Sequence, residues 1–176
     1  RKALALAKDG GYLRRTVFGS DADLNIEVFV GAGSYVAGEE TAMLESMQGR
    51  PAIPRQKPPF YPTEFGLHGK PTLVNNVETI SNLPHIIQHG AAWFSSVGTA
   101  KNPGTMLFSL SGAVNRPGVY ELSLGTPLKT LIDEYGNGIP GGHEVKAVFP
   151  GGPSFAMLPG TQLDVPLDTE ALKQAG

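Results

Sequence analysis

Two adjacent carboxylates, Glu39 and Glu40, close a glycine-rich run in Gly31 to Gln48, GAGSYVAGEETAMLESMQ; further on, Lys57 and Phe60 bracket a pair of prolines. A glycine-rich loop running into a helix aims unpaired backbone N–H groups and a positive dipole end at whatever lies above it. Glycine also lets a flat or bulky ligand approach the main chain closely. The spacing G-x-G-x-x-x-x-G is neither the dinucleotide fingerprint nor a phosphate-cradling loop, which needs Lys and then Ser or Thr after its last glycine. Glu39 and Glu40 stand there instead. The helix dipole favours them, but they would repel a bare phosphate and suit a donor-rich partner such as sugar hydroxyls, a carboxamide or ring N–H groups. The same pair also reads as an acidic first turn that only caps its helix.

Other residues could do chemistry but read equally as structure. In K-P-P-F, Lys57 to Phe60, the prolines fix the separation of a cation and a ring, a pair able to stack on an adenine and reach a ribose or phosphate oxygen; a packing loop has the same composition. In V-N-N-V-E-T, Val74 to Thr79, either Asn75 or Asn76 can cap the following helix, and Glu78 is spaced for a capping box with Asn75. His85 and His89 are four apart without an acidic partner between them, the pattern of a solvated helix face rather than a metal site. His68 and His143 are loop residues with no constellation around them.

The elements that must position these groups follow from periodicity and punctuation. Residues 2–9 have helix-forming composition and Gly10-Gly11 stops them; residues 12–20, with Arg14 and Arg15, are a connection. Leu24 to Val30 reads as a strand feeding the glycine loop, and Thr41 to Gln48 as a helix with Val36, Glu40, Met43 or Leu44, and Met47 on one face. Gly49 is placed as its C′ residue, with Pro51 preventing continuation. Residues 50–72 hold six of the fifteen prolines and no periodicity, so they read as a stiffened surface loop. Val77, Ile80, Leu83, Ile86 and Ile87 then share a helix face, with Trp93 and Phe94 as anchors at the end of that layer.

Asn102-Pro103-Gly104 is the best boundary. Beyond it Thr105–Val114 reads as a strand, Asn115–Gly118 as a turn, Val119–Leu122 as a returning strand and Pro127–Tyr135 as a short helix. Glu144–Phe149 reads as another strand and Phe155–Leu158 as a further one. Asp133 and Glu134 fall on an exposed helix turn, and Pro150 to Pro153 form a rigid loop able to border a pocket or partner surface. The tail from Thr169 begins another helix.

Composition narrows the function classes. A formal charge of −2 over 176 residues leaves no electrostatic footprint for nucleic acid or an anionic membrane. With 40% hydrophobic residues the chain should be globular, and no run approaches a membrane span or a signal peptide. Cysteine is absent, which excludes disulfides and cysteine-ligated zinc or iron–sulfur clusters in these residues.

Three motifs in order, GAGSYVAGEETAMLESMQGR, PRQKPPF and GKPTLVNNVETISNLP, resemble the flavin-binding, NADH-oxidising subunit of respiratory complex I and its relatives in NAD-linked hydrogenases and formate dehydrogenases. The resemblance runs from about Gly11 to the C-terminus. It implies an α/β fold, the C-terminal part of a Rossmann-like layered FMN-binding domain at 1–102. The GxVxxPGxYEL and FPGGPSxAML stretches resemble a ubiquitin-like β-grasp domain of the soluble-ligand-binding (SLBB) kind at 103–166, followed by a truncated linker at 167–176. It implies FMN contacts at Tyr35, Gly38, Glu39, Glu40, Asn75 and Asn76, and NADH contacts at Glu40, Lys57 and Phe60. No side chain is expected to act as a general base, since the cofactor carries the redox chemistry. Such relatives pass electrons on to iron–sulfur clusters, and the full-length protein is expected to carry a 4Fe-4S cluster outside this chain. Other oxidoreductase subunits are the expected partners. The expected place is the cytoplasm, peripheral at the inner face of the membrane as part of a complex. Relatives usually have cysteine where this chain has Ala37, a change expected to alter redox sensitivity more than binding. The chain reads as an internal piece of a longer protein, inactive alone. Two other readings stay open: a non-catalytic β-grasp module that recognises a ligand or partner, and a homologue that keeps the fold without the flavin.

Overall fold

The computed structural model describes residues 1–13, 16–31, 33–152 and 155–175. Arg14 and Arg15 of the expected connection, Ala32 of the glycine loop, Pro153 and Ser154 of the second glycine–proline stretch and Gly176 of the tail lie outside the described residues. The chain forms two compact units, Arg1–Asn75 and Asn76–Gly176. Its class is mixed α/β: helices with two small antiparallel sheets among the described residues.

In the first unit, α1 spans Lys2–Asp9 and closes on Gly10, whose N–H donates to the Leu6 carbonyl at 2.9 Å. Leu24 to Val30 does not form the expected strand. Ile26, Val28, Phe29 and Val30 are all exposed, and a β-branched apolar run becomes a strand only where a neighbour pairs with its backbone and covers its faces. The glycine loop turns at Gly33, with φ +79°, and a 3₁₀ turn over Tyr35–Gly38 leads into α2, Glu40–Met47.

Helix α2 ends as expected. Gly49, at φ +76°, donates to the Ser46 carbonyl and Arg50 to that of Glu45, both at 3.0 Å, the two bonds of a Schellman motif. Its buried face is only partly the predicted one: Leu44 is buried, together with Thr41 and Ala42, while both methionines stay half-buried. The segment from 50 to 72 is also less irregular than its prolines suggest. Pro62 starts a one-turn helix, α3 (Pro62–Phe65), where a missing N–H costs nothing, and a 3₁₀ turn follows over Leu67–Gly69.

In the second unit, α4 (Val77–His89) is capped by Asn76, not Asn75: the Asn76 side-chain oxygen accepts from Thr79 N at 3.0 Å. Glu78 is therefore one residue short of the capping-box position and instead accepts from the Leu107 N–H at 2.7 Å. Gly90 separates α4 from α5 (Ala91–Ser95), and the Trp93 ring lies 5.0 Å from that of His89 and 6.3 Å from that of His85.

Strands β1 (Thr105–Leu110) and β2 (Gly118–Ser123) pair antiparallel in the register Thr105↔Ser123 to Leu110↔Gly118. The expected helix after them is split into α6 (Leu128–Thr130) and a π turn over Leu131–Tyr135. The last strands are shorter than the sequence suggests. β3 (Ala147–Val148) pairs antiparallel with β4 (Leu158–Pro159), Phe155 lying outside the pairing, and α7 (Thr169–Ala175) is the last element. Leu122, Leu128, Leu131, Ile132, Leu158, Leu167 and Leu172 are buried together as one core.

Candidate functional site

The first unit gathers most of the predicted residues around the start of α2. Glu39 is the N-cap: its Oε2 accepts from Ala42 N at 2.7 Å and from the Thr41 hydroxyl at 2.6 Å. Desolvation would raise the Glu39 pKa, but the bonds from Thr41, Ala42 and Lys57 outweigh it and hold the carboxyl below its ordinary value. Lys57 comes in from the proline-rich segment, with Nζ 2.7 Å from Glu40 Oε1 and 3.5 Å from Glu39 Oε1. The Glu40 carboxylate first, and Glu39 after it, push the Lys57 ammonium above its usual range. The lysine thus stays charged, with its carboxylate partners partly exposed beside it.

Gly38 immediately precedes this cluster, and a Cβ built on it would meet nothing within 4 Å, so bare main chain faces open space. Tyr35, three residues earlier, is 85% exposed. The Tyr35 ring and the Gly38 main chain are thus both open to solvent.

Phe60 packs edge-on against Phe65, ring centroids 6.2 Å apart, and borders a hollow of about 550 Å³ whose other walls include Gln48, Arg50, Arg55, Gln56 and His68. The loop therefore carries Lys57 to the carboxylates and Phe60 to this hollow. Asn75 is exposed and makes no hydrogen bond among the described residues; Asn76 belongs to the second unit, where its oxygen caps α4.

The contacts that hold this arrangement include residues the sequence did not single out. Arg55 N donates to the Thr41 hydroxyl at 2.8 Å, and its side chain bonds Glu45 Oε1 at 2.5 Å as well as the Phe65 carbonyl. Arg50 forms a two-point pair with the same Glu45. The Arg50 bonds above all, with Arg55 and against the pull of desolvation, bring the Glu45 carboxyl down to about 2. These partners lie 5 and 10 residues apart, so no helical or strand period announces them.

In the second unit a cavity of about 690 Å³ is walled by Leu107, Phe108, Leu128, Phe149 and the turn Pro150 to Gly152, which does border a pocket as expected. Among its described walls Asp168 is the one ionisable side chain, and it caps α7 through the Ala171 N–H at 2.8 Å. Asp133 makes an exposed pair with Lys129 at 2.9 Å. Among the described residues, neither region assembles a nucleophile, base and orienter.

Residues 1–85 match the family model described as the Nuo51 FMN-binding domain, and residues 107–157 match the SLBB domain. Across 175 residues the chain is 46% identical to a Rhizobium meliloti F subunit of NADH-quinone oxidoreductase, the one numbered F 2, covering 99% of this chain and 41% of that protein. It is 50% identical over 174 residues to the NADH-quinone oxidoreductase F subunit of Mycobacterium bovis, covering 99% of this chain and 39% of the relative. The chain thus spans about two fifths of the length of these curated relatives. Among solved structures, a chain of the NAD⁺-reducing [NiFe]-hydrogenase in the H₂-reduced state superposes with a TM-score of 0.76 at 41% identity, over 85% of this chain and 26% of that one.

Proposed function

Because this chain matches the Nuo51 FMN-binding and SLBB family models and is similar along its whole length to F subunits of NADH-quinone oxidoreductase, we propose that it is the part of an FMN-dependent, NADH-oxidising flavoprotein that presents the ring of the flavin to the nucleotide. The observation that carries this reading is the meeting of Glu39, Glu40 and Lys57 beside the bare main chain of Gly38. FMN, when bound, supplies the acceptor for a hydride from the nicotinamide. The chain's own residues bind and orient.

The fit of the residues to both ligands is physical. Tyr35, Gly38, Glu39 and Glu40 would hold the flavin, a planar ring lying on exposed tyrosine and open backbone while the carboxylates accept from its donors. Asn75 and Asn76 would contribute amide donors to FMN: neither side-chain NH₂ has a partner among the described residues. Glu40 and Lys57 would take ribose and phosphate oxygens of NADH, and Phe60 would stack on its adenine. Orientation of two rings within reach of each other is worth more to the rate than any proton transfer these groups could offer.

The domain boundaries proposed are 1–102 for the partial FMN/NADH domain, 103–166 for the β-grasp domain and 167–176 for the start of the next segment. Support comes from the two family models, which leave residues 86–106 between them. We further propose that electrons leave for iron–sulfur clusters outside this chain, including a 4Fe-4S cluster of the whole protein. Other subunits of a multi-subunit oxidoreductase are its partners, at the inner face of the cytoplasmic membrane. No helix among the described residues is long and apolar enough to cross a membrane.

The test is the protein that carries this chain, purified with its flanking sequence. It should be yellow, and NADH should bleach it. Lys57→Ala should raise the KM for NADH about tenfold, the loss of one charge-assisted contact, while leaving flavin content unchanged. A colourless protein that FMN cannot reconstitute would refute the proposal.

A further inference from the structure

Among the described buried residues of the first unit Thr41 is the one polar side chain, fully enclosed and using both faces of its hydroxyl. It donates to Glu39 Oε2 at 2.6 Å and accepts from Arg55 N at 2.8 Å. A Ser or Thr hydroxyl in a helix ordinarily bonds the backbone of its own turn. This one instead spans 14 residues to the proline-rich segment, and does so without a water-accessible alternative.

Arg55 is in turn a fixed point. Its guanidinium bonds Glu45 and the Phe65 carbonyl, while its main chain hangs on Thr41. Two residues later Lys57 lies 2.7 Å from Glu40. The carboxylate pair and the lysine therefore approach from two chain segments that are joined near the site by the Thr41 hydroxyl, through the Arg55 main chain, and by the Arg55–Glu45 pair. The partly exposed pairs of Lys57 with Glu39 and Glu40 do not alone set the separation of those segments, because the geometry of solvent-facing pairs is loose and their net contribution small. The Arg55–Glu45 pair holds the side chain of Arg55, while Thr41 holds its backbone.

We propose that Thr41 is a positioning residue for the nucleotide site, its buried hydroxyl tying the Glu39–Glu40 carboxylates to the loop that carries Lys57 and Phe60. This rests on the NADH-binding reading above and adds to it a part that sets the spacing of the site. Thr41 touches no ligand; it acts through Glu39 on one side and Arg55 on the other. Packing alone would be served as well by valine, which has the same shape but leaves the Arg55 N–H without a partner and Glu39 with one bond fewer.

The experiment is an equilibrium titration of the flavin-loaded, full-length protein with NAD⁺, read by calorimetry, for wild type, Thr41→Val and Thr41→Ser, with thermal melting of each. The Kd should rise about tenfold in Thr41→Val and return to within about twofold of wild type in Thr41→Ser, each variant being titrated after saturation with FMN. A lower melting temperature with an unchanged Kd in Thr41→Val would overturn the proposal, as would a serine variant no better than valine. Should the valine variant not fold, exchange of the Arg55 amide in wild type decides. Protection that rises with NAD⁺ supports the tie, since a bond that favours binding must be favoured by binding; protection that does not change overturns it. A wild-type protein that fails to bind NAD⁺ at all refutes the underlying reading as well, and so is distinguishable from failure of the threonine alone.

Discussion

In the second unit the best-enclosed side chains are leucines, Leu158 and Leu167 among them, packed with Leu122, Leu128, Leu131, Ile132 and Leu172; in the first, Thr41 is enclosed as completely as Ala42 beside it. Around that threonine the contacts are charged: Glu39 with Lys57, Glu45 with Arg50 and Arg55. The first unit meanwhile leaves Val28, Phe29, Val30 and Tyr35 exposed. Apolar burial is strong but indifferent to direction, whereas hydrogen bonds to ionised groups are directional and fix atoms. The unit that carries most of the proposed ligand contacts is thus the one whose geometry is set by polar contacts, and the second unit is the one held by an apolar core.

The largest test of that contrast is Leu158→Ala. Removing this side chain, 1% exposed, should cost about 2–5 kcal/mol by lost transfer energy and the cavity left behind. Denaturant unfolding followed by amide exchange should show the loss in Asn76–Gly176 and little change in Arg1–Asn75. An equal loss of protection in the first unit would break the distinction.

Acid should act on the other side. The folded-state carboxyl of Glu45 lies at about 2, below its ordinary value of 4.5, and Glu39 is shifted in the same direction. A lowered pKa means stability present above pH 4.5 and lost progressively as pH falls towards 2. Amide protection of α2 and the segment around Arg55 should therefore fall across that window before protection of the leucine core does. A core that opens first, or both together, would show that the ion pairs do not hold the first unit.

The sequence made the local features legible and left the long-range ones hidden. The glycine stop after α1, the capped and glycine-terminated α2, the β1–β2 hairpin and the Pro-started helix after it all rest on turn and cap chemistry within a few residues. Leu24 to Val30 was misleading because an apolar β-branched run specifies a strand only together with a partner, and pairing is not a local property. Glu39, Glu40 and Lys57 were visible as chemistry by type, but their meeting depends on Thr41, Glu45 and Arg55, joined across 10 to 14 residues. Asn75 and Asn76 could not be told apart as caps by spacing alone, since either leaves a helix of nearly the same length.

Asn76 supplies the smallest and most discriminating test, because its side chain has two ends with two jobs. Its Oδ1 accepts from Thr79 N at 3.0 Å and caps α4, while its NH₂ has no partner among the described residues and is the proposed donor to FMN. Asn76→Asp keeps the capping oxygen and removes the donor, so helix stability should stay within a few tenths of a kcal/mol while FMN dissociates more readily, by about tenfold. Asn76→Ala should lose about 1 kcal/mol of stability and the flavin affinity together. Thermal melts beside flavin titrations of the full-length protein separate the two. If aspartate keeps the flavin as tightly as asparagine does, Asn76 is a cap alone.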